Sequence, residues 1–397
     1  PVEASGKTLI PGLVDMHIHL ASPGGMLAKP DDYKPEKTIP RALAAYLYSG
    51  VTAVRSMGDP VDEVLKQRAQ LESGENLGTE LFVAGPMFTT PGGHGTEYTK
   101  RLPENIRAAA DAQLVRLPKT PDEARQMVRD LKAKKVDLIK AILESGVPGM
   151  LYNRMDLSIL RAIADEARKQ GLPLATHTGD SHDVADAIEA GTRTIEHGSM
   201  RDIIPDTLFE KMKQQGIAYD PTLSVAEAFV MIGDGKMDLL ERSLVQQVGP
   251  PALLETTKKW LTSPEARGMG AAFSKSGAIQ LEIARKNLKR AWELGVPLIT
   301  GSDAGNMLVI HGPTVHRELQ LWVEAGLPQA AALQAATFNA AKALGAEERF
   351  GRVRKGLEAT FVLVDGDPLK DISVTERISL VLFKGERINR PELFEQN

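Results

Sequence analysis

The chain has 397 residues, of which 42% are apolar and 25% are charged, the balance of an ordinary soluble globular enzyme. A net charge of −4 gives no basic excess that would indicate nucleic-acid binding, and no apolar run approaches the ~18 residues of a membrane span. Because the chain has no cysteine, disulfides are excluded and any metal ion must be held by nitrogen and oxygen ligands.

Short apolar runs alternate with helical patterns along the chain. The first run, GLVDMHIH, covers 12–19. Seven more runs follow, at 50–57, 80–88, 135–143, 171–178, 192–199, 216–223 and 295–305. The helices between them are predicted near 39–49, 61–73 and 205–215, over 156–170, and from Pro121, and most of them end in glycine. Repeated helix–glycine–strand units give parallel strands, which predicts an α/β fold of the (β/α)8 TIM barrel type, with a doubly wound sheet as the alternative.

Two long connections and a change of pattern depart from this regularity. Residues 89–120 follow the third strand and begin TTPGGHGTEY, and residues 224–280 form a polar, helix-rich insertion after the seventh strand. After Gly345 the short strands in ATFVLVDGDP and ISLVLFKGERI predict a small β-sandwich annex. The predicted division is therefore a barrel over 8–345 and an annex made of 1–7 plus 346–397.

Polar side chains end several of these otherwise apolar strands. His17 and His19 are two residues apart in LIPGLVDMHIHL, so a strand turns both imidazoles to the same face. The full set is His17, His19, Lys140, His177, His197 and Asp303. The carboxyl ends of barrel strands meet at one mouth, where so many buried polar groups are costly unless they are compensated. A divalent cation compensates them together, and imidazole with carboxylate suits Zn²⁺, with Mn²⁺, Fe²⁺ and Ni²⁺ as alternatives.

Each of these residues also has a plain structural interpretation. A single histidine at a strand end is often structural, Asp303 in TGSDAG is able to cap a turn, and Lys140 is able to reach solvent. A protonated Lys140 would repel a metal ion, whereas its neutral amine reacts with CO₂ to give a carbamate with two oxygens. The sequence shows a lysine at a position where an anion could bridge two metal ions, but it does not show the carbamate itself.

With these motifs the chain resembles the amidohydrolase superfamily of metal-dependent hydrolases, over nearly all of its length. PGLVDMHIH is similar to that family's first strand, LIK to its fourth, ATHTGD to its fifth, TIEHGS to its sixth and TGSDAG to its eighth. FGRVRKGLEATFVLVDGDP resembles the closing stretch, except that this chain has Ala359-Thr360-Phe361 where relatives usually have Ala-Asp-Leu.

The resemblance implies a binuclear metal centre, most simply of two Zn²⁺ ions. In that arrangement His17, His19 and Asp303 hold one ion, His177 and His197 hold the other, and carbamylated Lys140 bridges them together with a hydroxide. The hydroxide attacks the substrate, while Asp303 takes its proton as general base and passes it to the leaving group as general acid.

Within the superfamily, TTPGGHG, the pair His311-Gly312 and REL at 317–319 resemble the imidazolonepropionase-like branch, which includes Xaa-Pro dipeptidases. This resemblance implies hydrolysis of amide or peptide C–N bonds, with a dipeptide, a carboxypeptidase-type substrate or an N-acyl amino acid as the small-molecule partner. Two alternatives stay open. One is a lactonase, esterase or phosphotriesterase on the same metal site, and the other is a catalytically silent metal-binding protein.

Three further residues are predicted to contact substrate. His94 lies in the glycine-rich loop after the third strand, His311 follows the eighth strand, and Tyr219 ends the seventh. The alternatives are that His94 lies in solvent and that Tyr219 faces the surrounding helices. His182 and His316 are predicted to be structural histidines on helix surfaces.

Relatives carry additional N-terminal strands that complete the annex, whereas only about ten residues precede the first strand here, as judged from its pattern. The N-terminal part of the annex is therefore expected to be truncated, either because the chain is trimmed or because the annex itself is incomplete. In the second case the strands near 360–388 would expose an unpaired edge able to join copies into a homo-oligomer. The first residue is Pro1, so two locations stay open, the cytoplasm or export after removal of a signal peptide.

Overall fold

The computed structural model describes residues 3–29, 32–100 and 104–394. Its strands are β1 (Lys7–Pro11), β2 (Leu13–Ile18), β3 (Val51–Ser56), β4 (Glu80–Val83), β5 (Met87–Phe88), β6 (Val115–Arg116), β7 (Ile139–Ile142), β8 (Gly146–Val147), β9 (Met150–Leu151), β10 (Leu174–His177), β11 (Thr194–Glu196), β12 (Ala218–Asp220), β13 (Phe361–Asp365), β14 (Ile378–Phe383) and β15 (Glu386–Arg387). Its α-helices are α1 (Pro35–Tyr48), α2 (Val61–Ser73), α3 (Glu97–Lys100), α4 (Glu104–Leu114), α5 (Pro121–Ala133), α6 (Leu157–Lys169), α7 (Ser181–Ala190), α8 (Asp206–Gln215), α9 (Leu223–Asp234), α10 (Asp238–Glu241), α11 (Ser243–Val248), α12 (Pro251–Leu261), α13 (Pro264–Ser276), α14 (Leu281–Leu294), α15 (Thr314–Glu324), α16 (Gln329–Gln334) and α17 (Ala340–Ala343).

Helices α2, α5 and α7 begin or end at residues that signal a helix boundary in the sequence, whereas α1 begins four residues before its predicted start near 39. Helix α5 starts with Pro121 at its first position, and the hydroxyl of Thr120 accepts a hydrogen bond from the amide of Glu123. Helices α2 and α7 end at Gly74 and Gly191, both in the left-handed conformation that glycine adopts without steric cost. The alternation of helix and strand read from the sequence is therefore present in the fold.

The strands that carry the predicted site are parallel. One sheet has the order β2-β3-β4 and another has the order β12-β11-β10-β7-β5-β6. The amide of Asp137, just before β7, donates to the carbonyl of Val83 in β4 at 2.8 Å. At the other edges, the amide of Ile299 donates to Tyr219 in β12 at 3.0 Å, and the amide of Met16 in β2 donates to Thr300 at 2.9 Å.

Two of the predicted strands differ from expectation. The run at 80–88 is divided into β4 and β5, because Gly85 adopts a φ of +73° and Pro86 follows it. The run at 295–305 forms only isolated bridges, at Leu298 and Ala304, and Asp303 has a φ of +58°, outside the range of a regular strand.

The two long connections contain helices. Residues 89–120 include α3 and α4, and residues 224–280 include α9 to α13. Helix α13 crosses α9 at two glycines, and a Cβ added at Gly270 would lie 2.2 Å from the Cα of Gly233. The crossing is thus a direct contact between two helix backbones.

Four of the remaining strands form an antiparallel sheet of order β1-β13-β14-β15, and the short strands β8 and β9 pair with each other. Lys7 pairs with Asp365 and Pro11 with Phe361, so the predicted boundary at residue 8 falls inside β1. None of the helices described is long and apolar enough to span a bilayer.

Candidate metal centre

The six side chains predicted to bind metal come together beyond the carboxyl ends of the parallel strands. The ring centroids of His17 and His19 are 5.3 Å apart, those of His17 and His197 4.8 Å, and those of His177 and His197 4.4 Å. The ligand atoms of His17, His197 and Asp303 lie within 4.8 Å of one another. Residues separated by most of the sequence therefore share one small volume.

Asp303 lies at the centre of this volume. Its Oδ1 is 3.2 Å from Nε2 of His19 and 3.7 Å from Nε2 of His17. That oxygen is buried and has no hydrogen-bond partner among the residues described. Burial raises the pKa of Asp303, but His17, His19 and Lys140 outweigh it and leave the pKa below its usual value. The carboxylate is therefore ionised and has an oxygen free for a ligand.

Lys140 on β7 lies beside these groups, with its Nζ 3.3 Å from Nε2 of His17. The side chain is almost completely buried. Burial lowers its pKa from 10.5 to about 8, although the carboxylates of Glu196 and Asp303 act in the opposite direction. A neutral amine, which is the form that reacts with CO₂, is thus available near neutral pH.

Most of the imidazoles are also held in their neutral form. Burial is the main cause that lowers the pKa of His17, His177 and His197, and neighbouring cationic groups add to it. His19 differs, because its contact with Asp303 outweighs burial and raises its pKa. Neutral imidazole is the form that binds metal, so burial prepares three of the four histidines for coordination.

A buried carboxylate fixes the orientation of His17. Nδ1 of His17 lies 2.9 Å from Oε2 of Glu196, and Arg55 Nη2 donates to Oε1 of the same carboxylate at 2.8 Å. Arg55 also donates from Nε to the carbonyl of Met16 at 2.6 Å, and the hydroxyl of Thr194 donates to Glu196. With Nδ1–H donated to Glu196, Nε2 of His17 keeps its lone pair for a metal.

A second carboxylate, that of Glu144, fixes the orientation of His177 at the rim of the site. Nε2 of His177 lies 2.9 Å from Oε2 of Glu144, which also forms an ion pair with Arg201. Nδ1 of His177 is then the nitrogen left for a metal. His94 stands next to this group, with its ring 5.0 Å from that of His177 and its Nδ1 2.6 Å from Oε1 of Glu97.

Three residues here have a left-handed backbone that side chains other than glycine rarely adopt. The φ values are +66° for His197, +45° for Thr222 and +58° for Asp303. Nδ1 of His197 lies 2.6 Å from the hydroxyl of Thr222. Such conformations cost about 1–3 kcal/mol each and tend to cluster at functional sites.

The other two residues predicted to contact substrate, Tyr219 and His311, lie outside the cluster of predicted metal ligands. Tyr219 packs against Phe209 of α8 and donates its hydroxyl to the carbonyl of His197, so its ring is fully buried on the helix side of the strand and substrate contact is not supported. His311 is outside the cluster, since its ring nitrogens contact Tyr46 and the carbonyl of Ser22, and it lines a separate cavity of about 310 Å³.

The two helix histidines have different positions. His182 is exposed on α7, as predicted. His316 was expected on a helix surface, but it is buried, because its nitrogens contact the carbonyl of Ser49 and the hydroxyl of Thr375.

Several residues that shape the site were not identified from the sequence. They are Arg55, Glu144, Glu196, Arg201 and Thr222. A signal was present for Arg55, a charge inside the apolar run VTAVRSM, and for Glu196, which directly precedes a predicted ligand. Glu144, Arg201 and Thr222 lie in connections, whose course the periodicity of strands and helices does not predict.

The donor set fits a divalent metal centre. It offers neutral imidazoles with one nitrogen held by a protein partner, an ionised carboxylate with a free buried oxygen, and a buried lysine.

Comparison with known proteins agrees with the resemblance seen in the sequence motifs. A model of the Amidohydrolase family matches residues 8–388. Ochratoxinase from Aspergillus niger is 26% identical, over 96% of this chain and 76% of that protein. Among solved structures, a Xaa-Pro dipeptidase with methionine bound in its active site has a TM-score of 0.73 at 26% identity, and the match covers 96% of this chain and 87% of that one. A prolidase complexed with N-methylphosphonate-L-proline has a TM-score of 0.71 at 25% identity, with 98% and 88% covered.

Proposed function

The chain belongs to the amidohydrolase family of enzymes, which hydrolyse amide bonds, and we propose that it cleaves the C–N bond of a dipeptide or an N-acyl amino acid at a centre of two divalent metal ions. One observation carries this proposal. Six donor side chains from distant parts of the chain lie close together, and the ligand atoms of three of them, His17, His197 and Asp303, are within 4.8 Å of one another. Oδ1 of Asp303 is buried among them without a hydrogen-bond partner in the part of the chain described.

In this proposal His17, His19 and Asp303 hold one ion, and His177 and His197 hold the other. Zn²⁺ suits a set of imidazole and carboxylate ligands without sulfur. Lys140 would provide an anionic ligand to both ions as a carbamate, formed when its neutral amine adds to CO₂ with loss of one proton. The lowered pKa of Lys140 supports this step, because only the neutral amine reacts.

When bound, the metal ions supply an activated water and polarise the substrate carbonyl. Asp303 moves the proton. Its free Oδ1 accepts the proton of the attacking water and delivers it to the leaving nitrogen, whose bond to the carbonyl carbon breaks. The low pKa of Asp303 keeps the acceptor form populated at neutral pH.

The relatives support the substrate class. A Xaa-Pro dipeptidase, a prolidase and an ochratoxinase are all similar to this chain over nearly its full length. The position of His94, whose ring lies at the rim beside that of His177, supports a contact between His94 and the substrate. The half-exposed side chain of Tyr98 lies next to it, with ring centroids 5.9 Å apart, and adds an aromatic surface at the entrance.

We also propose that the parallel strands and the segment 297–304 close into a (β/α)8 barrel. The backbone hydrogen bonds of that segment to β12 and β2 support closure. The antiparallel sheet would then be a small unit built from both ends of the chain, with β1 included up to Pro11.

The test is metal analysis followed by a substrate panel. We expect about two equivalents of Zn²⁺ per chain and turnover of at least one dipeptide or N-acyl amino acid, consistent with a binuclear amidohydrolase centre. Asp303→Asn should keep metal and lose at least ~10²-fold in rate, whereas Asp365→Asn in the antiparallel sheet should change neither. Turnover of lactones, esters or phosphotriesters without amides would assign the alternative chemistry, and metal binding without any turnover would mark a silent metal-binding protein.

A further inference from the structure

Helix α9 begins at Leu223, shortly after β12, and Thr222 at its N-cap position does not provide the usual side-chain cap. A threonine at this position normally accepts a hydrogen bond from an amide in the first turn, because those amides have no partner within the helix. Thr222 makes no such bond. Its hydroxyl instead lies 2.6 Å from Nδ1 of His197.

The carboxyl group of Glu318, from α15, takes the place of the missing cap. Oε1 accepts from the amide of Leu223 at 2.8 Å, and Oε2 accepts from the amide and the hydroxyl of Ser224, both at 2.6 Å. The indole of Trp322 donates to Oε1 at 2.8 Å. All four groups are buried, so the cap is completed by a residue nearly a hundred positions away along the chain.

Arg317, which precedes Glu318 in sequence, links the same two helices, α15 and α9. Arg317 donates from Nε and Nη2 to the two oxygens of Glu227 on α9, at 2.8 and 2.6 Å. Paired N–H groups on one carboxylate fix both distance and direction. The motif REL at 317–319 therefore holds the first turns of α9 through one ion pair and one cap.

The backbone of Thr222 shows that this arrangement is strained. Its φ of +45° and ψ of +52° are unfavourable for a β-branched residue, and glycine or asparagine would be favoured there. A strained threonine whose hydroxyl does not cap its own helix indicates that the hydroxyl serves another partner.

We propose that Arg317 and Glu318 are positioning residues that free the hydroxyl of Thr222 from capping, so that it accepts Nδ1–H of His197 and leaves the lone pair of Nε2 for a metal. The inference rests on the proposed function, since it assigns His197 to the metal centre. Without Glu318 the amides of the first turn would compete for the same hydroxyl.

The first test compares two substitutions of Thr222. Thr222→Ser keeps the hydroxyl, and we expect Zn²⁺ affinity within about threefold of the wild type. Thr222→Gly relieves the backbone strain and removes the hydroxyl. It should be at least as stable in urea yet bind Zn²⁺ about 10–100-fold more weakly, the effect of losing a group that orients a ligand. A purely structural role for Thr222 predicts that stability and affinity change together.

The second test asks whether Glu318 acts through Thr222. We expect Glu318→Gln to weaken Zn²⁺ binding in the wild-type background and to have no further effect in Thr222→Gly, although it destabilises the fold in both. Equal loss of affinity in both backgrounds would show that Glu318 acts by another route and would overturn the inference.

A readout without metal separates this inference from the proposed function. In metal-free protein the imidazole ¹⁵N shifts of His197, assigned with His197→Gln, should show a proton on Nδ1 in the wild type and in Thr222→Ser, and a mixture of tautomers in Thr222→Gly. If the wild type binds no Zn²⁺, the proposed function fails while these shifts still test the positioning. If it binds Zn²⁺ and Thr222→Gly is unchanged in affinity and tautomer, the positioning is wrong and the proposed function stands.

Discussion

The buried ion pair between Arg55 and Glu196 gives the sharpest prediction of stability. Arg55 is 3% exposed and Glu196 is fully buried, and the guanidinium supplies one of the donors to the carboxylate that orients His17. In Arg55→Met the carboxylate stays buried with His17 and Thr194 as its remaining partners. Removing one member of a buried pair costs about 3–5 kcal/mol, a large fraction of the ~5–15 kcal/mol that stabilises a typical domain.

The assay is urea denaturation of metal-free protein. A matched control is Arg349→Met, because Arg349 also contacts two carboxylates, of Glu80 and Glu358, but is 43% exposed, and such surface pairs contribute only about 0–1 kcal/mol. The double variant Arg55→Met/Glu196→Gln should recover part of the loss, since it removes the unpaired charge. Arg55→Met should also bind Zn²⁺ about 10–100-fold more weakly, because Glu196 no longer holds His17.

Two results would refute this reasoning. If Arg55→Met were no less stable than Arg349→Met, the carboxylate would not depend on its cation. If the double variant were no more stable than Arg55→Met, the cost would come from lost packing of the long side chains and not from an unpaired charge.

Four further predictions follow from the same structure. Burial raises the pKa of Glu318 from 4.5 to about 7. The stability advantage of the wild type over Glu318→Gln should therefore be full below pH 4.5 and fall by about 3 kcal/mol as the pH rises from there through 7. Urea denaturation of both proteins at each pH checks this. Gly270→Ala should lower the thermal midpoint measured by calorimetry, because its methyl group would lie 2.2 Å from the Cα of Gly233. Gly233→Ala is the control. Its methyl group would lie 3.6 Å from the Cα of Gly270, so it should be neutral or stabilising by up to ~1 kcal/mol. Removal of metal by a chelator should lower the thermal midpoint by an amount that grows with the logarithm of the metal affinity, and readdition of Zn²⁺ should restore it. Lys140→Met should bind less metal by elemental analysis and lose the dependence of metal loading on bicarbonate, and unchanged loading would exclude a carbamate bridge.

The sequence predicted much of the fold, because its strongest signals are local. Helix α2 matches its predicted range of 61–73, since glycine and proline mark both of its ends. The division of the run at 80–88 was not predicted, although its cause, Gly85 followed by Pro86, is visible in the sequence. The family resemblance inferred from the strand-end motifs is confirmed by the match over residues 8–388.

At the site, the predicted metal ligands were identifiable because they interrupt apolar strands. The residues that orient them were harder to predict. Glu318 reads as one more polar residue on an amphipathic helix, and its contact with α9 depends on how α15 packs. The side that Tyr219 faces was left open by strand periodicity, and the structure decides it through the packing on Phe209.

The pairing of β1 with β13 constrains the order of assembly. During synthesis β1 and β2 leave the ribosome before β13, and β2 follows β1 after a single residue. One edge of β2 forms hydrogen bonds with β3, which is close in sequence, but the other edge bonds to Thr300. β1 pairs with β13, which is synthesised after Thr300. Contacts between such distant segments carry a high closure entropy and form slowly. The strand that bears His17 is therefore translated well before the two segments that complete its surroundings, and it is fully enclosed only after both have been made.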